Sequence, residues 1–334
     1  MLKIGLLGCG RIGQVHARSI GQIEGAMVTA VSDAFEEPAR DLASRTNAKA
    51  MTSDDLIASA DVDAVVIGTP TDTHFDLIHL AARAGKAIFC EKPVDMSADR
   101  IRDCIKVVEE TGVPFMTGFN RRFDPNFANI HARIERGEIG NVEIVTILSR
   151  DPSPPPVSYI KTSGGIFRDM MIHDLDMACF LLGEEPISVY AVGSALVDPE
   201  IGKAGDVDTA AVTLTTGSGK ICQISNSRRA TYGYDQRIEV HGASGMLRAE
   251  NMLESTVELA TATGFRRAPA QHFFLERYEA AYLAEMKHFV GMIAAGGTLT
   301  PSIIDGLRAQ VLADAAALSL ETGVKIEINA NSGS

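Results

Sequence analysis

The sequence predicts an α/β fold: a doubly wound parallel sheet, followed by an α+β domain with a large open, mainly antiparallel sheet. Strand-like apolar runs alternate with helical segments over residues 1–118, and this alternation is typical of parallel sheets. After about residue 120, strand-like segments follow one another and helical segments flank them. We therefore expect domains at 1–120 and 121–328, with a loose tail at 329–334.

The apolar runs of the first domain are predicted to be buried parallel strands, because they are rich in Val and Ile. They are Lys3–Leu7, Met27–Ser32, Ala64–Gly68, Ala87–Cys90 and Pro114–Gly118. The segments between them have helical periodicity and span Ile12–Gln22, Glu36–Thr46, Thr73–Ala84 and Ser97–Thr111. Gly85 and Gly112 follow two of these segments, where helix C-caps belong.

The second domain carries shorter strands with two hairpin signals. The strands are Val142–Arg150, Ser188–Val197, Thr209–Thr215, Lys220–Ser227, Arg237–His241 and Thr256–Ala260. Turn residues at 216–219 and 242–245 predict tight connections between neighbouring strands. Helical segments are predicted at Ile166–Leu182, Leu275–Ala294 and Ile303–Glu321.

Composition narrows the function classes. A net charge of −12 argues against a nucleic-acid partner, since phosphate binding needs a basic face. No apolar run is long enough to span a membrane, and the chain starts with a strand pattern where a signal peptide would need an apolar helix. The 5 cysteines are widely spaced and form no Cys-x-x-Cys or Cys/His cluster. We expect reduced cysteines in a cytoplasmic enzyme.

The most informative motif is Gly8-Cys9-Gly10-Arg11-Ile12-Gly13, which joins the first strand to the first helix. In such a motif Gly8 makes the tight turn, Gly10 lets the backbone approach a pyrophosphate, and Gly13 allows close helix packing. The helix N-terminus, including the N–H groups of Arg11 and Ile12, favours the phosphate charge. The alternative is a glycine-rich turn that binds nothing. We predict a dinucleotide site.

Asp33 indicates which dinucleotide is bound, because it ends the second predicted strand 20 residues after Gly13. A carboxylate at this point accepts hydrogen bonds from the ribose hydroxyls and repels a 2′-phosphate. No Arg or Lys follows before Arg40 to offset that repulsion. NAD is favoured over NADP, with a plain strand-end turn as the alternative.

Glu91-Lys92-Pro93 follows a predicted strand at the end where doubly wound sheets bind ligands. The Lys92 ammonium there could reach the nicotinamide end of the cofactor and stabilise a developing alkoxide. A surface lysine in a turn is the alternative.

Asp169 and His173 are four residues apart, which on a helix places both on one face. A carboxylate beside an imidazole orients the ring and supports the cation formed when it takes a proton. Such a base suits the oxidation of an alcohol. The alternatives are a satisfied core histidine, or a metal held by Asp169, His173 and Asp176. The dinucleotide already supplies a hydride acceptor, so no metal is required.

Three further segments are candidate contacts. Thr69, Pro70 and His74 follow the third predicted strand, where they could line the nicotinamide ribose or form a plain strand–helix turn. Arg122 lies at the predicted domain junction, where it could donate to substrate hydroxyls or form an interdomain ion pair. Tyr232 lies in a short aromatic loop before a strand, as a substrate contact or a turn residue.

These motifs together resemble the glucose–fructose oxidoreductase / inositol dehydrogenase (Gfo/Idh/MocA) family over essentially the whole chain. The glycine motif, Asp33, Glu91-Lys92-Pro93 and the Gly-Gly-x-x-x-Asp-x-x-x-His pattern of 164–173 occur in family order. The last two motifs are far more specific than the first.

The resemblance implies NAD-dependent oxidation of myo-inositol to scyllo-inosose by a homotetramer built through the open sheet face. It implies that His173 is the proton acceptor, Asp169 its partner and Lys92 the polarising group. Ring hydroxyls would then be contacted by Arg122, Tyr232 and Asp151. A dehydrogenase of another cyclic polyol or pyranose, such as scyllo-inositol or glucose, shares these residues, and a non-catalytic NAD-binding regulator is a more remote alternative.

Overall fold

The structure is a computed structural model that describes residues 1–328, so the predicted tail at 329–334 lies outside the described residues. The chain folds into two compact units. The first unit comprises residues 1–123 and 280–310. The second comprises residues 124–279 and a segment that begins at Val311.

A six-stranded parallel sheet forms the centre of the first unit, in the order β3-β2-β1-β4-β5-β6. Its strands are β1 (Leu2–Leu7), β2 (Ala26–Ser32), β3 (Lys49–Ala50), β4 (Ala64–Ile67), β5 (Ala87–Glu91) and β6 (Phe115–Gly118). The strand order reverses direction between β1 and β4. In doubly wound sheets, ligands bind outside the carboxyl ends of the strands at such a switch point.

Helices cover this sheet and bury its apolar runs. They are α1 (Arg11–Ile20), α2 (Glu36–Thr46), α3 (Ser53–Ala58), α4 (His74–Arg83) and α5 (Ala98–Thr111), with 3₁₀ turns at Thr71–Thr73 and Asn120–Phe123. Phe289, from helix α12 (Glu279–Ala295), packs edge-on against Phe89 of β5 with ring centres 5.7 Å apart. A helix remote in sequence therefore completes the core of the first unit.

The second unit is built on a seven-stranded sheet in the order β12-β11-β7-β10-β9-β8-β15. Its strands are β7 (Val142–Arg150), β8 (Pro186–Ser194), β9 (Thr209–Thr216), β10 (Ile221–Ser227), β11 (Asp235–Gly242), β12 (Gly245–Ala249) and β15 (Ile326–Glu327). Only β7 and β10 pair in parallel within this sheet, which confirms the mainly antiparallel prediction. A separate exposed hairpin consists of β13 (Glu258–Thr261) and β14 (Gly264–Arg267).

The remaining helices lie mostly in the second unit. They are α6 (Pro125–Glu135), α7 (Val157–Ser163), α8 (Gly165–Asp169), α9 (Ile172–Leu182), α10 (Pro199–Lys203), α11 (Phe274–Arg277) and α13 (Ile303–Thr322), of which α13 begins in the first unit. Among residues 1–328, no helix is long and apolar enough to cross a membrane.

The structure corrects several predicted elements. The segment predicted as one helix over Ile166–Leu182 is two, because Met171 N–H donates to Ile166 O at 2.8 Å, five residues back. Met170 and Met171 keep right-handed helical dihedrals, so the interruption is a wide turn without a change of hand. Leu275–Ala294 is likewise divided, at Tyr278. Residues 280–310, predicted to belong to the second domain, pack in the first unit.

Candidate active site

The glycine loop connects β1 to α1 as predicted, and close contacts explain why Gly8 and Gly13 have no side chain. Gly8 has φ +97°, and a side chain there would lie 2.6 Å from the Gly68 carbonyl oxygen. A side chain at Gly13 would overlap the Gly8 carbonyl. A side chain at Gly10 would project into open space, so this position is where a phosphate could approach the backbone. No side chain caps α1 and no acid lies in its first turn, so its N-terminus suits an anion.

Asp33 lies at the carboxyl end of β2, beside the glycine loop. Its Oδ2 accepts from Cys9 N at 2.7 Å, and its Oδ1 accepts from Phe35 N at 2.9 Å. These two bonds orient the carboxylate, and each oxygen retains capacity for a further bond. The residues of this loop therefore fit the pyrophosphate and ribose of a dinucleotide.

His74 braces two loops at the same edge of the first sheet. Its Nε2 lies 2.9 Å from Thr69 O and its Nδ1 lies 2.9 Å from Pro93 O. The ring is 1% exposed, and burial lowers its pKa despite these two carbonyls. The geometry favours an indirect role: His74 fixes the loop of Thr69 and Pro70 to the loop that follows Lys92.

Glu91 and Lys92 lie where β5 ends. Glu91 Oε1 is 2.7 Å from the Nε2 of buried His16, and its Oε2 accepts from Lys92 N at 3.3 Å. Glu285 of α12 is fully buried, and burial together with the Glu91 carboxylate raises the pKa of Glu285 well above its usual value. The backbone at Lys92 is thus held by a buried polar cluster.

Arg122 forms an ion pair within the first unit. Its Nη2 donates to Asp305 Oδ1 at 3.0 Å. Burial would raise the pKa of Asp305, but the Arg122 charge and the bonds from Ser302 bring it below the usual value. The structure therefore shows an ion pair, although both partners belong to one unit where the sequence suggested an interdomain pair.

In the second unit, most of the predicted substrate residues lie at one end of the sheet, where β7 and β10 terminate. Because β7 and β10 are parallel, their carboxyl ends meet, and Arg150 pairs in register with Ser227. Asp151 follows β7 and its N–H donates to Ser227 O at 3.0 Å. Tyr232 follows β10 and is 53% exposed, with its hydroxyl 2.8 Å from the carboxylate of Asp235, the first residue of β11. We call this end of the sheet the β7/β10 end.

Asp169 is held at the β7/β10 end by two donors. Arg228, which directly follows β10, donates from Nη1 and Nη2 to Asp169 Oδ2 at 3.2 and 3.3 Å. The Tyr159 hydroxyl donates to Asp169 Oδ1 at 3.0 Å. Gly164 precedes α8 and Gly165 begins it, with φ +82° and +79°, conformations that favour glycine. These backbone conformations explain why the motif of residues 164–173 begins with two glycines.

His173 is the second residue of α9, and the next residue anchors that helix to the sheet. Asp174 is fully buried and accepts from Ser149 Oγ at 2.6 Å and from Asn226 Nδ2 at 3.0 Å. Ser149 and Asn226 each lie one residue before the end of their strand, β7 and β10. His173 is therefore carried on a helix tied to the β7/β10 end. Within residues 1–328, no group of His, Cys, Asp or Glu side chains is arranged to hold a metal ion.

Sequence reasoning missed four residues of these arrangements: Arg228, Tyr159, Asp174 and Glu285. In the sequence, Arg228 is adjacent to a second arginine, Arg229. Its place directly after a strand was a usable signal, because strand ends at one sheet edge share a site. The other three lie in helical segments and carry no local signature.

Comparison with known proteins accounts for both units. The family model described as "Oxidoreductase family, NAD-binding Rossmann fold" matches residues 2–119. The model "GFO/IDH/MocA C-terminal domain" matches residues 127–248.

The chain is also similar over almost its full length to individual proteins. An inositol 2-dehydrogenase of Rhizobium meliloti is 55% identical, over 98% of this chain and 99% of that protein. The crystal structure of a myo-inositol dehydrogenase from Corynebacterium glutamicum is 44% identical with TM-score 0.95, covering 98% of this chain and 99% of that one. A scyllo-inositol dehydrogenase from Lactobacillus casei, with NAD(H) and scyllo-inositol bound, is 29% identical with TM-score 0.92 over 98% and 99% of the two chains. The chain belongs to the GFO/IDH/MocA family of oxidoreductases, with an NAD-binding Rossmann domain followed by the family's C-terminal domain.

Proposed function

We propose that this protein oxidises myo-inositol at its axial C2 hydroxyl to scyllo-inosose (2-keto-myo-inositol), with NAD as the oxidant. The observation that carries the proposal is the β7/β10 end, where Asp169, Asp151 and Tyr232 lie at one edge and α9 carries His173. The substrate is suggested by the full-length similarity to proteins named inositol 2-dehydrogenase and myo-inositol dehydrogenase.

Oxidation of a secondary alcohol removes a proton from oxygen and a hydride from carbon. NAD, when bound at the glycine loop, supplies the hydride acceptor. His173 takes the hydroxyl proton, and Asp169 supports the imidazolium that results. The Lys92 ammonium stabilises negative charge on the reacting oxygen as the proton leaves.

The remaining hydroxyls of the ring need donors and acceptors that fix its orientation. Arg122 supplies a donor. Asp151 supplies an acceptor, and Tyr232 supplies a phenol that can do either. Because the Tyr232 hydroxyl donates to Asp235, its oxygen is oriented to accept from a ring hydroxyl.

The second candidate is a dehydrogenase of another cyclic polyol or pyranose, favoured by the similarity to the scyllo-inositol dehydrogenase. Both candidates use the same proton and hydride chemistry and differ in which hydroxyls are bound. Comparing kcat/KM for myo-inositol, scyllo-inositol and glucose with purified protein separates them. We expect myo-inositol to give the highest value. A higher value for either other compound overturns the substrate assignment, and NAD binding without any turnover would favour a regulator.

Asp33 is expected to set the preference for NAD over NADP. In the variant Asp33→Ser, the carboxylate that repels a 2′-phosphate is lost, so NADP should be used better while NAD loses a ribose contact. We expect the ratio of kcat/KM for NAD over NADP to fall by about tenfold or more, since one hydrogen bond to a charged group contributes about 1.5–3 kcal/mol. The neighbouring acid variant Glu37→Gln, on the exposed face of α2, is the control. An unchanged ratio in Asp33→Ser would remove Asp33 from the cofactor argument.

We also propose a cytoplasmic homotetramer assembled through the open face of the second sheet. On that face Ile144, Tyr190 and Val192 are 40–49% exposed, and a patch of this kind is normally covered by a partner. Within residues 1–328 the 5 cysteines form no disulfide, which suits a reducing compartment. Light scattering of the purified protein measures the assembly, and a monomer would exclude it.

A further inference from the structure

We propose that Arg228 is a positioning residue for this reaction. Together with Tyr159, it fixes the orientation of the Asp169 carboxylate and partly neutralises its charge, so that His173 can act as a base. The inference rests on the proposed function, in which His173 accepts the hydroxyl proton.

The first support is the geometry around Asp169. Both Nη atoms of Arg228 converge on Oδ2, while the Tyr159 hydroxyl is bonded to Oδ1. Each carboxylate oxygen therefore has its own donor, from α7 on one side and from the end of β10 on the other. Such a carboxylate cannot rotate without losing a bond.

The second support is burial. The Arg228 side chain is 1% exposed and the Asp169 side chain 15% exposed, so their attraction is weakly screened by solvent. Burial, and then the Asp169 carboxylate, raise the pKa of the Tyr159 phenol. The phenol therefore stays protonated and remains a donor throughout the working pH range.

A second carboxylate completes the arrangement. Asp206 Oδ2 lies 3.9 Å from Arg228 Nη2, and Asp206 Oδ1 accepts from Ile166 N at 3.1 Å. A side chain at Gly165 would approach Asp206 Oδ1 to 2.8 Å, so glycine leaves room for this bond. The glycine pair, Asp206 and Arg228 thus place the start of α8, and with it Asp169, against the end of β10.

Two further charged side chains lie near this cluster, Asp151 and Arg168. Asp151 acts electrostatically on Tyr159, and Arg168, next to Asp169 in the chain, is paired with Asp314 at 2.7 Å. The cluster of Arg228, Asp169 and Asp206 carries one positive and two negative formal charges. Arg228 is its buried cation.

A base must be unprotonated when the reaction starts, and this requirement is the chemical reason for placing Arg228 on Asp169. A histidine must be neutral before it can take the hydroxyl proton, whereas an uncompensated buried carboxylate beside it would stabilise the imidazolium. Arg228 and Tyr159 donate hydrogen bonds to the same carboxylate, so less of its negative charge is available to stabilise the imidazolium. Asp169 then supports the cation formed during turnover without trapping the enzyme in it.

The test compares the pH dependence of kcat/KM for myo-inositol in four variants: Arg228→Gln, Arg228→Lys, Tyr159→Phe and the control Arg229→Gln. Arg229 is adjacent and exposed, so its variant makes the same change in net charge outside the cluster. We expect Arg228→Gln to move the acidic limb upward by about one pH unit. Tyr159→Phe should move it less in the same direction, and Arg228→Lys should retain the wild-type limb because the charge remains. The control should match the wild type.

A second readout does not depend on turnover. NMR titration of the imidazoles, with His173 assigned by its absence in His173→Ala, should show the same upward shift of the His173 midpoint in Arg228→Gln and Tyr159→Phe. If Arg228→Gln fails to fold, Tyr159→Phe decides, because its side chain is half exposed. Rates lowered equally at every pH, with an unmoved midpoint, overturn the proposal. Full activity in His173→Ala would instead overturn the base assignment, and the two failures are distinct.

Discussion

Replacing His173 with alanine is expected to lower kcat for myo-inositol oxidation by about 10²–10⁴-fold, the range typical for loss of a general base. The variant keeps every residue of the glycine loop and Asp33, which all lie in the first unit. NAD affinity should therefore stay within about twofold of the wild type. Steady-state NADH formation measures the first quantity, and equilibrium titration with NAD measures the second.

The matched control is His241→Ala. His241 lies on β11 opposite Ile144, near the start of β7, and so at the far end of the sheet from the β7/β10 end. The His241→Ala variant should retain wild-type turnover. His173→Ala should also lose the acidic limb of the pH–rate profile, because the imidazole proposed as the base is absent. Wild-type turnover in His173→Ala would show that another group takes the proton.

The first sheet could be predicted from sequence because each of its long strands is a continuous apolar run followed by an amphipathic helix. Glu36–Thr46 was predicted with its observed bounds. The strand β3 was missed because it has two residues and begins with an exposed lysine, so no pattern can form. Helix α3 was also missed, although Thr52 caps it by accepting from Asp55 N.

Contacts between distant segments could not be predicted in the same way. Residues 280–310 have helical periodicity, but nothing local shows that Phe289 packs on Phe89 of the parallel sheet. The same limit applies to Arg228 and Asp169, which are 59 positions apart. Residue types and spacing predicted the groups that we propose for the chemistry, while the residues that hold them came only from the fold.

The interruption between α8 and α9 shows what local reasoning could and could not predict about Asp169 and His173. A uniform helix would place Asp169 and His173 on one face. The bond from Met171 N to Ile166 O widens the turn between them, yet the backbone remains right-handed. Wide turns of this kind occur often at functional sites, because they re-aim side chains that regular geometry would fix. The spacing argument therefore needed correction in geometry, and the roles of the two residues stay a proposal.

Lys92→Met is the variant with the second largest expected effect. Methionine retains the apolar stem and removes the ammonium, so the backbone held by Glu91 and His16 should be preserved. If the ammonium stabilises the oxygen as it loses its proton, its loss should lower kcat by about 10²–10³-fold, as for removal of one donor to a developing oxyanion.

The division of the effect between kcat and KM tests this role. A group that acts on the developing charge lowers kcat and kcat/KM alike, whereas a group that only binds substrate raises KM. Lys106→Met is the matched control, because Lys106 is a surface lysine of α5 in the same unit, paired with Asp103. Surface pairs of that kind contribute little to stability, so the control should keep wild-type kinetics. If Lys92→Met changes KM alone, Lys92 orients the substrate and another group must stabilise the reacting oxygen.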